Sequence, residues 1–162
     1  MINAIIKNRR TVRNFTAESV SDDEIKSLVE AFQTSPCGMH QPDVMNLVVV
    51  KDKELRAEIE KATGNSCYGA PVLFLINTKK DNMFGERDAS AAAENIMLEA
   101  TDLGLGSVYV MGGAVKLNDY ADIQKEFGIA QDFETIVIVP VGKIAEEPAK
   151  EDRTSRYQVT IY

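Results

Sequence analysis

The sequence predicts one domain that mixes helices and strands. Its 162 residues are enough to bury a core in a single domain. Helical and strand-like patterns alternate along the chain, and no linker-like stretch separates them. A nearly continuous apolar run at residues 71–76 is typical of a buried strand, and residues 86–103 carry the longest helical pattern. We therefore expect residues 1–162 to fold as one unit.

The first half of the chain is predicted to begin with a capped helix. Ser21 and Glu24 have the spacing of a capping box, and an apolar helical face follows them: Ile25, Leu28, Val29 and Phe32. A loop is expected at residues 35–38 and a strand at residues 44–50. Asp52 then has the position of an N-cap for a short helix with Leu55, Ile59 and Ala62 facing inward.

The second half is predicted to be built around the long helix at residues 86–103. Its apolar face consists of Ala89, Ala92, Ala93, Ile96, Ala100 and Leu103. We expect a strand at residues 107–110, a break at Gly112 and Gly113, and a helix near residues 117–127.

The last elements are predicted to be a strand at residues 134–141 and a C-terminal arm. The arm begins with a polar stretch, and residues 158–162 then alternate as an edge strand would. Such an ending is typical of an arm that reaches another subunit, although any C-terminal arm can have this pattern.

Composition excludes several classes of protein. The chain is 44% hydrophobic and 27% charged, which is ordinary for a soluble globular protein, and it has no apolar run of membrane-spanning length. A net charge of -7 argues against bulk nucleic-acid binding. The N-terminus lacks a secretory signal pattern, so we expect a cytoplasmic protein, and its two cysteines, Cys37 and Cys67, are expected to be free thiols.

A small basic cluster opens this acidic chain. Lys7, Arg9, Arg10 and Arg13 precede the first acidic residue, Glu18. Arginine forks match the geometry of phosphate or carboxylate, and the nearby hydroxyl of Thr11 is a further donor, so the cluster indicates anion recognition. Two alternatives remain open from the residues alone. The cluster is a solvated basic turn, or Arg13 pairs with an acid elsewhere.

Common catalytic signatures are absent from the sequence. Gly104 and Gly106 follow a helical pattern and lack the third glycine of the dinucleotide fingerprint, and there is no Walker A sequence or G-x-S-x-G elbow. One histidine and two distant cysteines are too few for a structural zinc site, so we expect no metal. Cys37 and His40 are a conceivable nucleophile and base, but their spacing alone is weak evidence.

An ordered set of motifs resembles the flavin-dependent nitroreductase family. The motifs are residues 9–15 (RRTVRNF), 35–42 (SPCGMHQP), 68–71 (YGAP), Asp88 with Ala92, Asn95 and Leu98, and 103–107 (LGLGS). Their order and approximate spacing match over nearly the full length. The resemblance implies an α+β fold with a central, mainly antiparallel sheet flanked by helices. It also implies a homodimer with a C-terminal arm crossing to the partner subunit, and one FMN in each of two interfacial clefts.

The resemblance also implies roles for individual residues, in two groups. The FMN phosphate and the polar edge of the flavin would be bound by Arg9, Arg10, Thr11 and Arg13, with Lys150 and Arg153 completing the phosphate site and Arg156 as an alternative. The flavin ring and ribityl chain would be contacted by the loop residues Pro36, Cys37 and Gly38 of the other subunit and by His40, where the family commonly has Asn. Asn65 would contact them as well. Backbone at Met111, Gly112 and Gly113 would present an N–H to flavin N5.

The implied activity is that of an FMN-dependent NAD(P)H oxidoreductase. NADH or NADPH would deliver hydride to flavin N5, and an electron-poor small molecule such as a nitroaromatic, quinone or enone would then be reduced in the same pocket. No side chain need act as catalyst. Two alternatives remain: a flavin protein of the same fold that stores FMN, remodels a flavin or dehalogenates a substrate, and a non-enzymatic interaction dimer. Because no long insertion lies between Leu105 and Gly128, we expect an open pocket with loose substrate preference.

Overall fold

A computed structural model describes residues 2–162 and shows a four-stranded sheet at the centre of the molecule. Its strands are β1 (Met45–Val50), β2 (Val72–Lys79), β3 (Leu105–Ser107) and β4 (Phe133–Lys143). They lie in the order β1-β2-β4-β3, and each neighbouring pair is antiparallel. The register places Val50 opposite Leu73, Val72 opposite Val141 and Ser107 opposite Val141.

Helices cover both faces of this sheet. They are α1 (Ala4–Asn8), α2 (Asp22–Gln33), α3 (Lys53–Thr63), α4 (Gly85–Asp102), α5 (Met111–Leu117) and α6 (Ala121–Glu126). Two short 3-10 turns, Gly38–His40 and Pro42–Val44, connect α2 to β1. The predicted α+β class, with a central antiparallel sheet flanked by helices, is confirmed.

The alternation of side chains along β2 divides the core in two. Phe74 and Ile76 face the layer formed by α2 and α4, where Leu28 and Ile96 are fully buried. Leu73 and Leu75 face the opposite layer, which contains residues of α3 and α5. Because β2 is buried on both faces, its sequence is a continuous apolar run and lacks the alternation of a half-exposed strand.

The predicted helix caps are present. The backbone N–H of Glu24 donates to the Ser21 hydroxyl at 3.2 Å, and the backbone N–H of Ser21 donates to the Glu24 carboxylate at 2.7 Å. Asp52 accepts from the Leu55 N–H at 3.0 Å and so caps α3. These bonds satisfy first-turn donors that have no acceptor inside their own helix.

The region around Gly112 and Gly113 differs from the prediction. The glycines lie inside α5, so the predicted break was wrong. The helix expected near residues 117–127 is α6, which is shorter than expected. A Cβ built on Gly113 would lie 2.8 Å from Val110 Cγ1 and 3.0 Å from Ser66 Cβ. Close packing of the helix therefore requires glycine there, and the glycine pair does not end an element.

Two predicted strands also differ. The strand expected at residues 107–110 is β3, which ends at Ser107, and the chain rejoins β4 only through an isolated bridge between Val110 and Ile138. Residues 158–162 form no strand within the single chain. Their apolar side chains are exposed, including Val159 at 76% and Ile161 at 91%.

Candidate functional site

Three separate segments meet beside the end of β3. The N-terminal segment joins β3 through the Val12 N–H, which donates to the Ser107 carbonyl at 2.9 Å. The loop after α3 reaches the start of α5, where Ser66 packs against Gly113. The same loop meets the N-terminal segment, because the Arg13 guanidinium lies 5.8 Å from the centre of the Tyr68 ring. The N-terminal segment, the loop after α3 and the start of α5, which belong to separate motifs in the sequence, therefore form one region.

The basic cluster is joined by the C-terminal segment. Arg153 Nη2 donates to the carbonyl of Lys7 at 3.0 Å and to that of Arg9 at 2.8 Å. Burial, followed by the positive charges of Arg10, Arg9 and Arg156, lowers the pKa of Arg153. Arg153 therefore lies close enough to Arg9, Arg10 and Arg156 to experience their positive charges.

Arg10 is oriented by backbone carbonyls. Its Nη1 donates to the carbonyls of Lys7 and Arg9 at 2.8 and 2.9 Å, and its Nη2 donates to that of Glu151 at 2.8 Å. Its Nε is buried and has no hydrogen-bond partner among residues 2–162. Arg10 thus fastens the C-terminal segment and still has one unpaired donor.

The remaining predicted cations have different surroundings. Arg9 Nε forms an ion pair with Glu94 on α4 at 3.3 Å, and both side chains are partly exposed. Arg156 pairs with Glu151 at 3.0 Å. Lys150 is exposed and makes no hydrogen bond or ion pair within the described part of the chain. The structure therefore brings Arg153 to the cluster and leaves Lys150 outside it.

The predicted contacts of the ring and ribityl chain lie at two places. Thr11, Asn65, Met111 and Gly112 are exposed on or beside the region that contains Arg13. A Cβ built on Gly112 would meet no atom within 4 Å, so the start of α5 is open to a planar ligand.

The loop containing Pro36, Cys37, Gly38 and His40 lies beside the first turn of α4. The Gly38 N–H donates to Asp88 Oδ2 at 2.9 Å, and Asp88 is only 8% exposed. Across residues 2–162, no hydrogen bond or ion pair connects this loop to the basic cluster.

Within residues 2–162, neither cysteine is arranged for nucleophilic catalysis. Burial raises the pKa of Cys67 to about 12, and the negative charge of Glu60 acts in the same direction, so Cys67 stays protonated. No hydrogen bond joins Cys37 to His40 in the part of the chain that the structure describes.

The described residues contain neither a metal-binding cluster nor a membrane-spanning helix. Within residues 2–162, no group of three or more His, Cys, Asp and Glu side chains is arranged to hold a metal ion. None of the helices described is both long and apolar enough to cross a membrane.

Three contacts around these segments have no clear signal in the sequence. Tyr68 and Asp88 lie in motifs that gave them no predicted role, and no sequence pattern indicates that the Glu60 carboxylate accepts from the Cys67 and Gly69 N–H groups. The positive φ angles of Asn65 and Tyr68, 60° and 58°, show that the backbone of this loop is left-handed. In the sequence, only the glycines at positions 64 and 69 indicate such a backbone.

Comparison with known proteins identifies the family. The sequence model of the nitroreductase family matches residues 6–67 and 60–143. The chain belongs to the nitroreductase family. This nitroreductase-family chain is 28% identical over 154 residues to a candidate NADH dehydrogenase/NAD(P)H nitroreductase of Methanothermobacter thermautotrophicus, covering 91% of this chain and 79% of the relative. It is 24% identical over 169 residues to an NADPH-flavin oxidoreductase of Vibrio harveyi, covering 93% and 68%.

Solved structures show the same fold. A Bacteroides fragilis nitroreductase with bound FMN superposes with a TM-score of 0.85 at 24% identity, covering 99% of this chain and 100% of that one. A Desulfitobacterium hafniense nitroreductase with bound FMN gives a TM-score of 0.85 at 21% identity, with the same coverage. The predicted nitroreductase-like fold is confirmed.

Proposed function

We propose that this chain is an FMN-dependent NAD(P)H oxidoreductase that reduces electron-poor small molecules such as nitroaromatics, quinones or enones. The observation that carries the proposal is the cluster of Arg9, Arg10 and Arg153, which contains a buried guanidinium N–H without a partner. Family membership, a relative named as an NADPH-flavin oxidoreductase and another named as an FMN reductase support the same activity.

The cluster fits a phosphate group. A phosphomonoester carries close to two negative charges at neutral pH, and arginine forks pair with its oxygens through charge-assisted hydrogen bonds. Burial, and after it the positive charges of Arg10, Arg9 and Arg156, lower the pKa of Arg153, and an anion there would offset the repulsion between these charges. We assign Arg9 and Arg153 to the phosphate, with Arg10 holding the C-terminal segment and contributing at most its Nε. Thr11 adds a hydroxyl beside them.

The region around Tyr68 fits the flavin and its ribityl chain. Arg13 would bind the polar edge of the ring, Asn65 the ribityl hydroxyls, and the backbone of Met111, Gly112 and Gly113 would face N5. First-turn N–H groups of a helix have no acceptor within the helix, so they can donate to a ligand. FMN, when bound, would supply the hydride-transfer chemistry between NADH or NADPH and the second substrate. The residues of this chain would bind FMN and orient it.

A homodimer would complete the site. Among residues 2–162, no hydrogen bond or ion pair joins Pro36, Cys37, Gly38 or His40 to the basic cluster, so we assign these four residues to the partner's flavin. The exposed alternating residues Tyr157, Val159 and Ile161 would cover the partner subunit. In this proposal residues 1–162 act as one domain, and each dimer has two sites.

Absorbance of the purified protein tests the cofactor assignment. Bound FMN absorbs near ~450 nm. We expect that band after purification or after loading with FMN, and its bleaching under anaerobic conditions by NADH or NADPH. A protein that cannot be loaded with FMN would be a non-flavin interaction dimer, and the proposal would fail. A loaded protein that neither nucleotide bleaches would leave FMN storage or another flavin role and would exclude the NAD(P)H oxidoreductase.

A further inference from the structure

One carboxylate on α3 holds the loop that follows this helix. Glu60 Oε2 accepts from the Cys67 N–H at 3.1 Å, and Oε1 accepts from the Gly69 N–H at 2.5 Å. The Glu60 carbonyl also accepts from the Asn65 N–H at 2.7 Å. The side chain therefore binds the N–H groups immediately before and after Tyr68.

Tyr68 has a backbone conformation that needs such support. Its φ of 58° lies in the left-handed region, which bulky residues rarely adopt. Gly64, Asn65 and Gly69 in the same loop also have positive φ, but glycine and asparagine tolerate it far better. A strained aromatic residue persists when its surroundings determine its conformation, and strain of this kind is concentrated at ligand sites. The hydrogen bonds that Glu60 accepts on both sides of Tyr68 hold Tyr68 in this conformation.

The Tyr68 ring lies beside the Arg13 side chain. The guanidinium is 5.8 Å from the ring centre, which is within cation–π distance. Arg13 makes no hydrogen bond or ion pair within residues 2–162, so the ring is its main specific contact. Tyr68 itself is 39% exposed, which leaves this pair open to a ligand.

We propose that Glu60 is a positioning residue for FMN binding, acting through Tyr68 on Arg13. By fixing Tyr68, Glu60 orders the Arg13 side chain before the ligand arrives, and this reduces the entropy lost on binding. An ordered cation at the pyrimidine edge of the flavin also stabilises negative charge that develops there on reduction. This inference rests on the proposed function, since it needs FMN in the region beside Arg13.

Amide hydrogen exchange of the FMN-free protein tests the first step. In Glu60→Ala, the amides of Cys67 and Gly69 should exchange at least roughly tenfold faster, because both lose their acceptor. The Asn65 amide should keep its rate, since its acceptor is the Glu60 backbone carbonyl. Glu58→Ala on the exposed side of the same helix is the matched control. Unchanged exchange at Cys67 and Gly69 would overturn the proposal.

FMN affinity and midpoint potential test the second step. Glu60→Ala should weaken FMN binding by roughly three- to tenfold, and Tyr68→Asn, which tolerates the left-handed backbone but lacks the ring, should do the same. Both variants should make the midpoint potential more negative, a change that loss of loop stability alone would not produce. Tyr68→Phe keeps the ring and should restore affinity and potential, and Glu58→Ala should match the wild type.

These measurements distinguish failure of the Glu60 inference from failure of the proposed function. Faster amide exchange with unchanged affinity and potential would make Glu60 a structural residue only. A normal Tyr68→Asn beside a weakened Glu60→Ala would overturn the route through the ring. If Glu60→Ala does not fold, Glu60→Gln and Tyr68→Asn carry the same comparison. A wild-type chain that binds no FMN would remove the proposed function as well, whereas FMN binding with normal variants would remove this inference alone.

Discussion

Removing the Arg153 side chain separates phosphate binding from a general basic surface. Arg153 is held by the carbonyls of Lys7 and Arg9, close to the other cations of the cluster. In Arg153→Ala, the phosphate would lose a charge-assisted hydrogen bond, which is worth about 1.5 to 3 kcal/mol. FMN binding should therefore weaken by about ten- to a hundredfold. The FMN-free protein should lose only about 1 kcal/mol of unfolding free energy, because the two carbonyls can bind water instead.

The matched control is Arg156→Ala. Arg156 pairs with Glu151 at a partly exposed site, and such pairs contribute at most about 1 kcal/mol. This variant removes the same charge from the same segment, so its FMN affinity should stay within about threefold of the wild type. Lys150→Ala should behave in the same way, since Lys150 lies outside the cluster.

Fluorescence titration of the FMN-free protein measures these affinities, and chemical denaturation measures stability in parallel. Equal losses in Arg153→Ala and Arg156→Ala would mean that net charge, and not a defined contact, attracts the phosphate. Unchanged affinity in Arg153→Ala would place the phosphate elsewhere and refute the reasoning.

Three further predictions concern the scaffold. The Lys143 ammonium, followed by the Ser21 N–H, lowers the pKa of Glu24 to about 2 from 4.5. Its contribution to stability should be complete above pH 4.5 and be lost as pH falls towards 2. Acid unfolding of Glu24→Gln should lack this component, and an unchanged acid midpoint would contradict it. Gly113→Ala should destabilise by about 1 to 3 kcal/mol because its Cβ has no room, whereas Gly112→Ala should change Tm little, and equal melting temperatures would contradict the packing. Asp88→Ala should cost about 1 to 3 kcal/mol by denaturation, because the Gly38 N–H loses its acceptor, and a neutral result would show that water replaces the carboxylate.

Local sequence signals predicted the elements that depend on local physics. The capping box at Ser21 and Glu24 and the apolar run of β2 were both found where expected. The antiparallel arrangement of the sheet came from the family resemblance, since a continuous apolar run does not determine strand direction.

The features that were missed depend on contacts between distant segments. Gly113 has the local signature of a helix breaker, and only the approach of Ser66 explains why a glycine stands inside α5. The left-handed Tyr68 requires a carboxylate eight positions earlier. Arg10 was expected to face an anion, but three backbone carbonyls accept hydrogen bonds from its terminal nitrogens. One of these carbonyls belongs to a residue 141 positions away.

That last contact determines when the candidate site can exist. Arg10 and Arg153 join the two ends of the chain through contacts that span 141 and 144 positions. Closing so long a loop has an entropic cost, which favours a late step in folding. The arm can also detach before the core unfolds, since its bonds are few and mostly exposed. In a newly made chain, the ligand site would therefore form after the rest of the fold. When the protein begins to unfold, it would lose its ligand while its core is still folded.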